Sequence, residues 1–328
     1  MTTSVRETVP ATGVRTEERT SPRDPRETFG AAAAELVDEN DRVAIVYAEI
    51  SGQYLGEVQA RHPDRVINVG IREQLLVNVG AGMALTGLRP IVHTFASFLV
   101  ERPFEQVKLG FGHQHAGGVL VSTGGSFDVS AGGRTHQSPG DVALMSTLPD
   151  WSIVVPGHAD EVEAGLRRAV LGTGRHYLRV TGQQNEAAHL DGLDGLVTIR
   201  SGGSGVVVAV GPVLEEVLAA TADLDLTVLY TARVRPFDAA GLRAAVAAAR
   251  ADVVLVEPYL AGTSAGSVSA ALVDVPHRLL SLGTRNEELR QYGTPAEHIR
   301  AHGLTSSGLR ASIRPFLERA KPGVLGPV

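Results

Sequence analysis

The chain has 328 residues, 43% of them hydrophobic and 20% charged, with a net charge of −6. That is enough to bury about two separate cores, and it offers no basic surplus for nucleic acid. There is no cysteine, which excludes a disulfide framework and thiolate chemistry. No apolar run approaches the roughly 20 residues of a membrane span, and the first residues hold no apolar signal core. The expectation is a soluble, cytoplasmic protein with no nucleic acid or membrane partner.

Residues 1–24 are rich in Thr, Ser, Pro, Arg and Glu without an apolar period, and are expected to form a flexible arm. A short helix follows, with Phe29, Ala33, Leu36 and Val37 at helical spacing. From there β-branched runs and amphipathic stretches alternate. Strands are expected at 43–48, 65–69, 90–95, 119–122, 152–155 and 177–180, and helices at 71–85, 103–111 and 159–171. Such alternation implies a parallel sheet with helices on both faces. Residues 182–204 are polar and glycine-rich and interrupt it, which places a boundary there. The alternation then restarts, with strands at 206–210, 227–230 and 253–256 and helices at 214–222 and 239–249. A helix after Gly262, a strand near Leu279 and a helical tail over 295–317 complete it. The expected organisation is a first domain over 25–190, a linker over 191–204 and a second domain over 205–328, both doubly wound α/β units.

Three stretches carry chemistry. In Asn68-Val69-Gly70-Ile71-Arg72-Glu73-Gln74 a strand ends, glycine turns the chain, and a carboxylate enters the first turn of a helix. Open α/β sheets bind ligands at the carboxyl ends of their strands, although an acid at that position also complements the helix dipole. In Thr94-Phe95-Ala96-Ser97-Phe98 two phenylalanines stand at a strand end in a chain that is only 5% aromatic. They are either core or a stacking surface for a flat heterocycle. In Gly132-Gly133-Arg134-Thr135-His136-Gln137-Ser138 glycines free the backbone beside a histidine able to move protons near neutral pH.

Together these stretches resemble the transketolase family. "GIREQ", "TFASF" and "GGRTHQSPGDVALMSTLPDWSIVVPGHADE" follow the family's order and spacing. The part from "VVVAVGPVLEEVLAA" through "VVLVEPYLAGTSAGSVSAAL" to "YGTPAEHIRAHGL" is similar to its third domain. The resemblance covers about 28–318. It implies a pyrimidine-binding thiamine diphosphate fold followed by a transketolase C-terminal-like domain. By the same resemblance Glu73 contacts N1′ of the aminopyrimidine. A carboxyl raised in pKa by an apolar site shares its proton there and lets the 4′ nitrogen take the thiazolium C2 proton. Phe95 stacks on the pyrimidine and Phe98 forms a second wall. Ile71 belongs to the same segment, and Glu49 falls where an aspartate stands near the thiazolium. His136 contacts substrate and serves catalysis, and Arg179 grips a substrate phosphate. Arg134, independently of the resemblance, sets a planar cation beside His136 that either binds a substrate carboxylate or phosphate or points to solvent or an acid of the partner subunit.

Two departures shape the functional expectation. The family holds Mg²⁺ and the diphosphate through a Gly-Asp-Gly motif with a downstream Asn; no Gly-Asp-Gly occurs here. The expectation is therefore one subunit of a thiamine diphosphate-dependent transferase of two-carbon ketol or acyl units. A partner would carry the diphosphate and Mg²⁺, in an α2β2 heterotetramer acting on a ketose or 2-oxo acid. Secondly, the family's two sugar-reading side chains fall at Gly124 and Gly132, Arg134 replaces a proline, and Tyr259 stands where histidine is common. One alternative is a 2-oxo acid decarboxylating component that passes an acyl unit to a carrier. Another is a non-catalytic regulatory or scaffold subunit.

Overall fold

The computed structural model describes residues 23–319, apart from 289 and 291. Nearly all of the expected arm, 1–22, therefore lies outside the described residues. Its last two residues do not: Arg23 pairs with Glu163 at 3.0 Å and also with Asp160, while Asp24 caps the first helix.

In chain order the first part runs α1 (Pro25–Glu39), β1 (Val43–Tyr47), α2 (Gly52–Arg61), β2 (Val66–Asn68), α3 (Glu73–Leu85) and β3 (Arg89–Phe95). A π-helical turn (Ser97–Glu101), the short α4 (Phe104–Gln106) and a second π-helical stretch (Val107–His113) follow. Then come β4 (Gly118–Thr123), α5 (Asp141–Ser146), β5 (Trp151–Val154), α6 (Ala159–Leu171) and β6 (Arg175–Arg179). The second part runs β7 (Val197–Arg200), β8 (Val206–Val210), α7 (Leu214–Ala220), β9 (Thr227–Thr231) and β10 (Arg233–Arg235). It ends with α8 (Ala239–Ala247), β11 (Asp252–Leu260), α9 (Ala265–Ala271), β12 (Arg278–Thr284), α10 (Pro295–Ala301) and α11 (Ser306–Glu318).

These form two sheets, of order β10-β5-β6-β4-β3-β1-β2 and β12-β11-β8-β9-β7. All pairings are parallel except β10 with β5 and β7 with β9. The fold is α/β, as the alternation implies, and the fully buried runs β1, β8 and β9 are what strands covered on both faces require. Local signals set the helix starts. Asp24 accepts from the amides of Arg26 and Glu27, with Pro25 in the first turn of α1. Thr294 and Glu297 form a reciprocal capping box on α10.

Several expectations need correction. The helix expected at 103–111 is a composite: π-helical geometry begins earlier, at Ser97, and returns at Val107. The wider turn changes side-chain phase without altering composition, so the apolar period conceals it. The polar stretch 182–204 is not featureless, because β7 lies within it as an antiparallel edge strand. The strand Arg233–Arg235 crosses back from the second part to become an edge of the first sheet. One buried apolar cluster joins Leu120, Val142 and Tyr177 of the first sheet region to Val208, Val253 and Tyr259 of the second.

Candidate functional site

The carboxyl ends of β1 and β3 hold most of the expected residues. After β1 the chain passes through Glu49 and Ser51 at φ 60° and 64°. Left-handed conformations at non-glycine positions cost about 1–3 kcal/mol and persist where surroundings fix them. Here the fixing group is His93, fully buried on β3. Its Nδ1 lies 2.8 Å from the Val121 carbonyl, which can only accept, so Nδ1 carries the proton. Nε2, 2.8 Å from Ser51 Oγ, then accepts from that hydroxyl. Ser51 Oγ in turn accepts from Arg26 Nε at 2.9 Å. Burial holds the imidazole neutral, with its pKa pushed down to about 3.

Glu73 opens α3 and is buried. Its Oε1 accepts from Arg102 Nη1 at 3.0 Å, and Oε2 has no hydrogen-bond partner among the described residues. The Arg102 guanidinium also lies 3.6 Å over the ring centroid of Phe98. Phe98 meets Phe95 edge-on at 5.9 Å and His136 at 4.9 Å; Phe95 to His136 is 5.9 Å. Beyond Phe95 stands Arg26, half-buried, its guanidinium 5.8 Å from the ring centroid and in no ion pair among the described residues. Burial lowers the Arg26 pKa, so this cation is desolvated and available to an anion. Glu49 is exposed, and its amide donates to Asn68 Oδ1 at 3.2 Å. Ile71 is 71% exposed, just before Glu73.

His136 is set by its own loop. Its Nδ1 lies 3.2 Å from the Gly132 carbonyl and 3.0 Å from Thr135 Oγ1. A Cβ on Gly132 would sit 2.6 Å from the imidazole. At Gly124, φ is 71° and a Cβ would lie 2.7 Å from Val129 and 3.0 Å from the Phe95 ring. The loop is therefore not a family loop with two side chains clipped off. It is folded too tightly against Phe95 and His136 to admit them.

The family model described as "Transketolase, pyrimidine binding domain" matches residues 21–186, half of the chain. The chain belongs to the transketolase family. It is 50% identical, over 88% of its length and 93% of the other's, to a Rhodococcoides fascians protein described as "Uncharacterized 33.6 kDa protein in fasciation locus". It is 31% identical to the 1-deoxy-D-xylulose-5-phosphate synthase of Thioalkalivibrio sulfidiphilus, covering 88% of this chain and 46% of that one. It thus spans about half the length of such synthases. Among solved structures, one described as "Split gene transketolase, inactive beta4 tetramer" superposes with a TM-score of 0.78 at 26% identity. That match covers 90% of this chain and 98% of the other. The transketolase of Campylobacter jejuni shares the fold, with a TM-score of 0.73 at 17% identity over 89% of this chain and 46% of that one. No helix among the described residues is long and apolar enough to cross a membrane.

Within this transketolase-family site the structure gathers Glu73, Phe95, Phe98 and His136, and sets Glu49 and Ile71 beside them at the exposed margin. Arg179 lies apart from this cluster. It is fully buried, with Nε on Asp141 Oδ2 at 2.7 Å and Nη2 on Ser126 Oγ at 2.7 Å. The same Asp141 oxygen accepts from Tyr177 at 2.7 Å, and Ser126 Oγ donates to the Pro258 carbonyl. An arginine so enclosed has no exposed face for a substrate phosphate in this chain. Arg134 points outward to Glu288, Nε to Oε1 at 3.1 Å, while its Nη1 donates to the Gln137 carbonyl. Arg26, Arg102 and His93 were missed. Arg26 lies on α1 and Arg102 in the turn after the first π-helical segment, where charge reads as a solvated face, and His93 sits inside an apolar strand run. Only the phase of each relative to Phe95 and Glu73 marks them.

Proposed function

We propose that this chain is the aminopyrimidine-binding subunit of a thiamine diphosphate-dependent transferase that moves a two-carbon ketol or acyl unit. A diphosphate-binding partner subunit would complete the site. The observation that carries the proposal is the buried Glu73 carboxyl beside the Phe95–Phe98–His136 cluster at the carboxyl end of one parallel sheet. The donor set fits the group: an aromatic surface for a flat heterocycle, and a carboxylate oxygen, Oε2, left over for a ring nitrogen. When bound, thiamine diphosphate supplies a nucleophilic carbon and an electron sink.

This chain's residues supply the rest. Glu73 holds or shares a proton at the pyrimidine N1′ position. Phe95 and Phe98 exclude water from one face, and Arg102 fixes both Glu73 and Phe98. His136 donates or accepts a proton on the substrate side. Arg26 is the cation we assign to an anionic end of the donor, in place of Arg179. Ile71 and Leu75, exposed next to Glu73, are the apolar margin the partner would cover. Mg²⁺ and the diphosphate belong to that partner. The near-complete match to a split-gene transketolase subunit supports this division, and an α2β2 assembly follows by analogy with it.

Tight packing at Gly124 and Gly132 supports a donor with few hydroxyls, since neither position can present a hydrogen-bonding side chain. The test mixes the chain with a subunit bearing Gly-Asp-Gly and a downstream Asn, and compares xylulose 5-phosphate with simple 2-oxo acids and short ketols. Cofactor-dependent turnover favouring the smaller donors is expected. Efficient transfer from xylulose 5-phosphate to ribose 5-phosphate would make this an ordinary transketolase half. No turnover with any donor, despite complex formation and cofactor binding, would point to a regulatory subunit.

A further inference from the structure

We propose that Tyr292 and Gly293, which lead into α10, form a clamp that positions His136, with Tyr292 as its positioning residue. Among residues 131–135 of the glycine-rich loop, Gly133 alone is buried; Ala131, Gly132, Arg134 and Thr135 are exposed. The cover is Tyr292, whose ring edge lies 2.5 Å from where a Gly133 Cβ would stand. Tyr292 itself is 67% exposed, so the ring lies across the loop as a plate and is not part of a core.

Three further contacts tie the same two segments together. Ser130 Oγ donates to the Gly293 carbonyl at 2.9 Å. Arg134 pairs with Glu288 at 3.1 Å. Phe127 stacks on His298 with centroids 4.3 Å apart and an interplanar angle of 8°. His298 in turn anchors the clamp, its Nε2 lying 2.8 Å from the Tyr292 carbonyl. The second domain therefore touches the loop at Phe127, Ser130, Gly133 and Arg134, spanning the turn that sets the Gly132 carbonyl. That carbonyl and Thr135 Oγ1 are the groups against which His136 Nδ1 rests.

The consequence is that His136 is placed by two domains at once. The Tyr292 ring packed beside Gly133 opposes rotation of the 132–133 peptide, and rotation there would swing the carbonyl away from the imidazole. Shifting the clamp would move His136, and with it the edge contacts to Phe95 and Phe98, without contacting Glu73. This role deepens the functional proposal and rests on it for its catalytic meaning, but the contact can be tested in the chain alone.

The experiment follows amide exchange and His136 side-chain nitrogen resonances in the full chain, for wild type, Tyr292→Ala and Tyr292→Phe. The amides of Gly132, Gly133 and His136 donate to Val129, Ser130 and Gly133 within the loop. Tyr292→Ala should speed their exchange by about ten-fold or more, leaving the α1 amides as an unchanged internal control. It should also shift or broaden the His136 ring signals. Tyr292→Phe, which keeps the ring, should restore the wild-type pattern. Unchanged loop exchange and His136 signals in Tyr292→Ala would overturn the proposal. So would a Tyr292→Phe variant as disturbed as Tyr292→Ala. In a reconstituted active complex Tyr292→Ala should lower turnover more than cofactor affinity. Loop exchange that rises while turnover stays unchanged would leave the clamp standing and remove His136 from the catalytic assignment.

Discussion

The carboxyl end of the first sheet divides into two halves that treat similar residues in opposite ways. Over β1 and β3, Glu73, Arg26, Arg102 and His136 are grouped with aromatic rings at the edge of the chain, and several keep a free donor or acceptor. Over β4 and β6, Asp141, Tyr177, Arg179 and Ser126 are buried under the second part of the chain and hydrogen-bond largely to one another, although Arg179 Nη1 and Asp141 Oδ1 find no partner among the described residues. Charged groups at strand ends are thus not functional because of where the strand ends. What matters is whether another part of the fold closes over them. The open half is the one we propose for a ligand; the sealed half lies at the seam between the two sheets.

The largest effect expected from this contrast is on the open side. In the complex with a diphosphate-binding subunit, Glu73→Gln should lower turnover by about 10²- to 10⁴-fold, the usual cost of losing a proton-transfer group. Thermal stability should be nearly unchanged, and exchange of the cofactor's C2 proton should slow in parallel. Wild-type exchange in the variant would remove Glu73 from the proton path.

On the sealed side the sign of the comparison reverses. Arg179→Ala leaves Asp141 buried without its cation, and breaking a buried pair costs about 3–5 kcal/mol. Urea unfolding should register that loss directly. Replacing both partners by apolar residues, Arg179→Met with Asp141→Leu, should recover much of it. If Arg179→Ala instead left stability intact and weakened an anionic substrate, Arg179 would belong to the open half after all.

A smaller, pH-dependent effect separates the seam from the cleft. Glu257 on β11 is buried, with its Oε1 accepting from the Ser264 amide at 3.1 Å. Burial pushes its pKa up to about 7 from 4.5. The folded state thus holds a proton that the unfolded chain releases. The stability this contributes is complete below about pH 4.5 and is lost as pH rises to about 7. Glu257→Gln keeps a neutral side chain throughout, so its stability relative to wild type should climb across that window. The slope should approach about 1.4 kcal/mol per pH unit and level off above it. His93 works in the opposite direction: its folded pKa of about 3 makes the wild type lose stability as pH falls below about 6.5. Measuring the difference between variant and wild type cancels that term. A flat difference would mean that Glu257 is not protonated in the fold.

The smallest effect belongs to Arg134→Ala. Both partners of its ion pair with Glu288 are more than half exposed, and such pairs contribute about 0–1 kcal/mol. Stability should barely change, and any loss of activity should appear in turnover through the His136 loop. A large, specific rise in KM for an anionic donor would return Arg134 to the role of a substrate reader.

How much of this was legible follows the same division. Long apolar runs announce their strands because burial on both faces leaves no polar position, as in Val43–Tyr47 and Val206–Val210. Arg233–Arg235 announces nothing: three residues, two of them charged, become a strand only because an edge of the first sheet is in reach. The grouping of Glu73, Phe95 and His136, which we propose as site residues, starts from local motifs, each a contiguous turn at a strand end. The burial of Arg179 was not legible because its partner, Asp141, comes from 38 residues away. Gly132 was legible as an absent side chain and Gly133 as a freed backbone position, but neither as a contact surface. What they touch, the His136 and Tyr292 rings, is fixed by the tertiary fold.

The most direct test of the central claim, that this chain holds the aminopyrimidine side and a partner holds the diphosphate and metal, is titration calorimetry of thiamine diphosphate with Mg²⁺. The chain alone should show no saturable micromolar binding, and adding the Gly-Asp-Gly subunit should produce it in a Mg²⁺-dependent form that Phe95→Ala weakens. Micromolar, Mg²⁺-dependent binding by the chain alone would contradict the account.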